Sequence, residues 1–185
     1  MAGRGPCRPA RHPDRHLGGP WADPGRTLGG PWADKGSRPP APRDCRYRWA
    51  YIFGAVCPAR GTGAGLVLPY ADKQAMTLHL AAIGEAVTPG AHAVVIVDGA
   101  GWHKPGGRLT LPDNVSTVIL PPYSPELNPQ ENIWQYLRQN HLSSRVFSSY
   151  DAIVDACCAA WMALMNQPDK ITSIATREWA KAVMA

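Results

Sequence analysis

The sequence predicts an α/β layered domain with a mixed sheet, preceded by a Gly/Pro-rich leader. Three observations predict it. From residue 47 onward, strand-like and helix-like runs follow in the order strand, strand, helix, strand, strand, helix, helix, helix. His92 to Val97 is an almost unbroken apolar run, the pattern of a strand covered on both faces. Residues 1–46 show neither periodicity. A chain of 185 residues, 45% hydrophobic and 18% charged, has room for one ordinary domain with a core of its own.

The leader differs in composition from the rest. Seventeen of residues 1–48 are Gly or Pro, and the apolar residues among them are scattered. Such a stretch buries too little surface to offset chain entropy, so residues 1–46 are expected to be disordered. LGGPWAD at Leu17–Asp23 returns at Leu28–Asp34, a period of 11. Two Gly/Pro-rich copies make no solenoid, and an in-frame duplication of coding DNA explains them more simply. Residues 1–48 hold ten Lys/Arg against four Asp, whereas residues 49–185 hold nine Lys/Arg against ten Asp/Glu. The overall charge of +5 therefore belongs to the leader, which favours polyanions weakly and without sequence preference.

Order is expected from Tyr47, making residues 47–185 the folded domain. Tyr47 to Val56 is rich in aromatic and β-branched residues and reads as a buried strand. Pro58 to Gly63 is a turn, and Gly65 to Pro69 a short second strand, its hairpin partner. Asp72 is placed to cap a helix in which Met76, Leu80, Ile83 and Val87 recur at helical spacing, and Pro89-Gly90 stops it. The His92–Val97 strand follows, then a Gly-rich excursion, Gly99 to Pro112, with one helical turn. Ser116 to Leu120 is the next strand. Asn128-Pro129 opens a helix through about His141, and Ser148 or Ser149 opens another with an apolar stripe of Ile153, Ala156, Cys157, Ala160, Trp161 and Leu164. Pro168 begins a last, shorter helix.

Several function classes are disfavoured. The five cysteines form no CxxC pair, which argues against zinc. An odd cysteine count without a secretory signal fits a reducing cytoplasm, and no apolar run is long enough for a membrane span. Adjacent Cys157 and Cys158 read as small core residues.

The chemistry-bearing residues lie between Val94 and Trp134. Asp98 ends a buried strand and precedes Gly99; ligand sites of open α/β sheets gather beyond the carboxyl ends of strands. A carboxylate there either holds a hard cation such as Mg²⁺ or caps the turn. Glu131, with 32 residues between it and Asp98, sits where a capping box would place it behind Asn128-Pro129-Gln130. Capping and metal binding coexist, because the helix N-terminus favours the ionised carboxylate a metal needs. Trp134 and Leu137 would anchor that helix in the core. His103 could contact DNA phosphate or a metal's outer shell, or serve as a structural hydrogen-bonder. Lys104 and Arg108 could touch phosphates or remain solvated, and Tyr123 and Ser124 could position substrate or only stiffen a Pro-rich loop.

VVIVDGAGWHK followed by ILPPYSPELNPQENIWQYLR resembles the DDE-superfamily endonuclease domain of mariner-like transposases, in the branch found in bacterial insertion sequences. The resemblance extends over roughly residues 32–180, and Pro121 to Trp134 is its most specific part. It implies an RNase H-like mixed sheet flanked by helices. It also implies three catalytic acids, two Mg²⁺ or Mn²⁺ ions and DNA strand cleavage and transfer without a covalent intermediate. Asp98 matches the second acid and Glu131 the third. DNA is then the partner, as element ends and target, with a homodimer or an upstream-frame transposase half as further candidates and no role for a membrane.

The first acid of that family ends a central strand, and here the corresponding interval, DRHLGGPWADPGRT, carries neither an apolar run nor an Asp-Glu pair. Asp14, Asp23 and Asp34 qualify only as acids, and the family's helix-turn-helix region has no counterpart. The expectation is a truncated or frameshifted transposase, its first, central strand missing, with two sheet fragments exposing unpaired edges and apolar faces. Such a chain would be inactive alone. A non-catalytic DNA-binding remnant is the alternative, and a structural domain in which Asp98 and Glu131 only cap is a third.

Overall fold

The computed structural model describes residues 8–9, 49–103, 109–122, 127–143 and 145–177. Strands β2 (Tyr51–Cys57) and β3 (Thr62–Leu68) form an antiparallel hairpin. Its turn closes through Arg60 N–H to the Cys57 carbonyl (3.1 Å), with Gly61 in the left-handed region at φ 59°. A two-residue strand β1 (Arg8–Pro9) runs parallel to Leu66–Val67 on the outer side of β3. Helix α1 (Lys73–Ala86) begins at Asp72, whose side chain accepts from Ala75 N–H at 2.8 Å. It leads to β4 (Ala93–Val97), which pairs in parallel with β5 (Val115–Ile119).

Three helices complete the chain: α2 (Gln130–Leu137), α3 (Tyr150–Met165) and α4 (Pro168–Ala175). Helix α2 widens at its end into a π-helical turn over Arg138–Leu142, so the helix expected to reach His141 does so with a change of pitch. Ser149 caps α3 through its hydroxyl, and Pro168 occupies the first turn of α4.

The hairpin is covered on both faces. Ile52 and Val56 turn toward a cluster of Ile133, Leu137, Trp161, Leu164 and Ile171 from α2, α3 and α4. Phe53 and Ala55, on the other face, pack with Met76, Leu80 and Ile83 of α1. Gly54 and Gly65 are direct cross-strand partners beneath the Trp161 ring, and a Cβ on either would lie 2.5 Å from its atoms. The protein is thus α/β, with helices on both sides of its first sheet.

The strands form two sheets, one of order β1-β3-β2 and one of order β4-β5, as expected of a mixed sheet divided into two fragments. Both pack against α1, since Val95, Val97 and Val115 share its cluster with Phe53 and Ala55. Among the described residues, the edge of β2 away from β3 and the edge of β4 away from β5 have no ladder partner. β1 lies on the opposite side of the hairpin and does not fill that position. The expectation that His92–Val97 is covered on both faces needs correction. Val94 is 63% exposed, Ile96 43%, and Val118, paired with Ile96, 50%. The physical reason lies in where the later helices spend their apolar stripes: the clusters built by α2, α3 and α4 contain no residue of β4 or β5. The expected disorder of residues 1–46 and the 46/47 domain boundary lie outside the described residues, Arg8 and Pro9 excepted.

Candidate metal site

Asp98 follows directly on β4. Because β4 and β5 are parallel and in register to Val97 and Ile119, the loop leaving β5 starts beside it, with Leu120 N–H bonded to the Val97 carbonyl at 2.8 Å. That loop leads to α2. The topology therefore sends the chain from the Asp98 end of the sheet to the turn that carries Glu131.

The segment from Asp98 to His103 folds back on itself. Asp98 Oδ1 accepts from Ala100 N–H at 3.0 Å, and His103 N–H closes on the Ala100 carbonyl, also at 3.0 Å. The His103 ring lies against the same carboxylate, with Nδ1 2.7 Å from Asp98 Oδ1 and 3.2 Å from the Asp98 carbonyl. Both partners are acceptors, so Nδ1 carries the proton. Trp102, packed on the α1 cluster, meets the imidazole edge-on with ring centroids 5.8 Å apart. The His103 side chain is 16% exposed and that of Asp98 47%. Among the described residues no hydrogen bond reaches Asp98 Oδ2.

Glu131 stands in the first turn of α2 and is exposed. The capping box expected around it does not form. Asn128 Oδ1 accepts from Gln130 N–H at 3.1 Å, but among the described residues no hydrogen bond or ion pair engages the Glu131 carboxylate. Its helix is anchored by Ile133 and Leu137, both fully buried, and by Trp134, whose ring centroid lies 6.3 Å from that of Trp161. Ile133 was not singled out from sequence, although it follows Gln130 at helical spacing.

Two carboxylates with unengaged oxygens suit a hard divalent cation, which takes oxygen donors. Asp98 and Glu131 are the residues that would hold it. Among the described residues, no group of three His, Cys, Asp or Glu side chains converges on a common point. Lys104, Arg108 and Tyr123, together with Asp14, Asp23 and Asp34, lie outside the described residues. His79 on α1 is 3% exposed, and burial, followed by repulsion from His103, holds its pKa below the ordinary histidine value. Its spacing from Met76 and Ile83, on the inward stripe of the helix, was the available sequence signal of that burial.

The class defined by this arrangement is an α/β protein carrying acids at the carboxyl end of a parallel strand and on the helix that follows the next strand. Residues 23–154 match the family model of the DDE superfamily endonucleases, and the chain belongs to that family. It is 62% identical over 132 residues to the uncharacterized protein y4pE/y4sA of Sinorhizobium fredii, a match covering 71% of this chain and 97% of that protein. No solved structure matches the chain. No helix among the described residues is long and apolar enough to cross a membrane.

Proposed function

We propose that this chain is a transposase catalytic domain that cuts and joins DNA with divalent metal, Asp98 and Glu131 supplying two of the three carboxylates. The observation that carries the reading is the state of Asp98 in a DDE superfamily endonuclease. It sits at the end of a parallel strand, held by one oxygen and, among the described residues, unengaged at the other. Mg²⁺ or Mn²⁺ bound there would activate the attacking oxygen and stabilise the leaving one. The chain's own residues present the anionic oxygens, Asp98 from a tied turn and Glu131 from a helix N-terminus that favours its ionised form. Lys104, Arg108 and Tyr123 would contact the DNA backbone around the site, as would His103 through Nε2, since Nδ1 is spent on Asp98.

The same reading assigns an RNase H-like sheet in which a further strand lies between β2 and β4 and brings the third acid. It is supported by the edges of both strands, unpaired among the described residues and packed against the helix they share. Where that strand comes from a second copy or an upstream-frame transposase half, the site is completed only in that assembly and the chain is inactive alone. One other reading is a non-catalytic DNA-binding remnant, compatible with the finding that no group of three possible metal ligands comes together among the described residues. Purified chain incubated with element-end DNA and Mg²⁺ or Mn²⁺, alone and with upstream-frame product, separates the two. Nicking upon complementation, lost in Asp98→Asn, supports the catalytic domain; DNA binding without nicking in every mixture supports the remnant.

A further inference from the structure

We infer that His103 is a positioning residue, which clamps one oxygen of Asp98 so that the other alone is offered to a divalent cation. The inference rests on the metal-binding reading of Asp98 and says how that residue is made ready. Three geometries carry it. Asp98 Oδ1 already accepts two hydrogen bonds, from Ala100 N–H at 3.0 Å and from His103 Nδ1 at 2.7 Å. Oδ2 accepts none from the described residues, and the side chain is 47% exposed, so one oxygen is fixed and the other is not held by them. The clamp is itself held, because Trp102 meets the imidazole ring at 80° and the Nδ1 proton is shared with the Asp98 carbonyl at 3.2 Å.

The chemistry follows from the rotation left to the carboxylate. An Asp with a free χ2 presents its oxygens in many orientations and can bind a cation through either or both. With Oδ1 tied twice, Asp98 χ2 is set and the carboxylate binds through one oxygen. Partners behind a ligating carboxylate typically change metal affinity 10–100-fold when removed. A phosphate contact through Nε2 leaves the short Nδ1 bond to Asp98 unexplained; a clamp explains it, and the two roles use different ring nitrogens.

The test uses the full chain and Mn²⁺ alone, titrated by the loss of the free-ion paramagnetic resonance signal. Asp98→Asn is expected to abolish binding. His103→Ala is expected to weaken it by about tenfold, and His103→Asn to restore it to within about threefold, because the Asn amide nitrogen occupies the place of Nδ1 and donates as it does. The ¹⁵N resonances of the wild-type ring, assigned by their loss in His103→Asn, are expected to report the Nδ1–H tautomer. If His103→Ala binds Mn²⁺ as wild type does while Asp98→Asn does not, the clamp is overturned and the metal site stands. Failure of His103→Asn to rescue, with a matching fall in thermal stability of both His103 variants, makes the residue merely structural and overturns the clamp as well. If Asp98→Asn binds as wild type does, the metal reading of Asp98 falls and takes the clamp with it.

Discussion

His79 is the one buried polar side chain of the described core, and its Nδ1 has no hydrogen-bond partner. It lies 5.8 Å, ring to ring, from Phe53. Burial, followed by repulsion from His103, lowers its pKa from 6.5 to about 4. The sign of the consequence is fixed by linkage. Above pH 6.5 the ring is neutral in both folded and unfolded chains. As the pH falls from 6.5 toward 4, the unfolded chain takes up a proton that the native state refuses, and stability is lost, up to roughly 3 kcal/mol. Urea unfolding at pH 7.5 and pH 4.5 is therefore expected to show an acid-induced loss roughly 2–3 kcal/mol smaller in His79→Leu than in wild type. Equal losses in the two proteins would mean that His79 is not the group responsible. At pH 7.5 the substitution should cost little, since it removes the orphan nitrogen along with the ring.

At the scale of elements, the hairpin and α3 are locked by the absence of side chains. Trp161 is 1% exposed and lies on the Gly54–Gly65 pair, where any Cβ would meet its ring at 2.5 Å. Trp161 is hemmed by Ile133, Leu137 and Leu164, so it has nowhere to retreat. Gly54→Ala and Gly65→Ala are each expected to destabilise by roughly 1–3 kcal/mol through overpacking, read from urea midpoints; a change near zero in both would show that the ring can shift. Helix α2 offers a contrasting case. Because Asn128 bonds Gln130 N–H and no hydrogen bond engages Glu131 among the described residues, Glu131→Gln is expected to alter stability by less than about 0.5 kcal/mol while weakening Mn²⁺ binding. The reverse outcome, lower stability and unchanged Mn²⁺ affinity, would return Glu131 to a capping role.

At the scale of the whole molecule, α1 is the common wall of two sheets that do not join among the described residues. β2 and β3 are sandwiched between α1 on one side and α2, α3 and α4 on the other, whereas among the described residues β4 and β5 are covered on the α1 side alone. Val94, Ile96 and Val118 consequently form an exposed apolar face on a sheet whose outer edges have no partner among the described residues. Charging that face, with Ile96→Lys and Val118→Lys together, is expected to reduce dye binding and concentration-dependent association with little loss of thermal stability. A large drop in the unfolding midpoint would show instead that the face is packed in solution.

The local rules were sufficient for the elements. Alternation, β-branching and the turn residues marked the hairpin and both parallel strands; Asp72, Ser149 and Pro168 marked helix starts; the apolar stripe of α3 was legible down to Trp161. The sequence by itself also determined the family, because the acids and the loop between them are a local pattern. Tertiary structure alone decided the rest. Nothing in AHAVVIVD distinguishes a strand covered twice from one covered once, since that depends on which distant helix packs against it. Nothing in DGAGWHK distinguishes a histidine facing phosphate from one bonded to the aspartate five residues before it, since a turn of φ and ψ separates the two. The expected capping box at Glu131 failed for a similar reason, with Asn128 bonding Gln130 and leaving the glutamate out. Sequence determines what each residue can offer; packing decides which offers are taken up, because a contact's energy depends on the element that arrives opposite it.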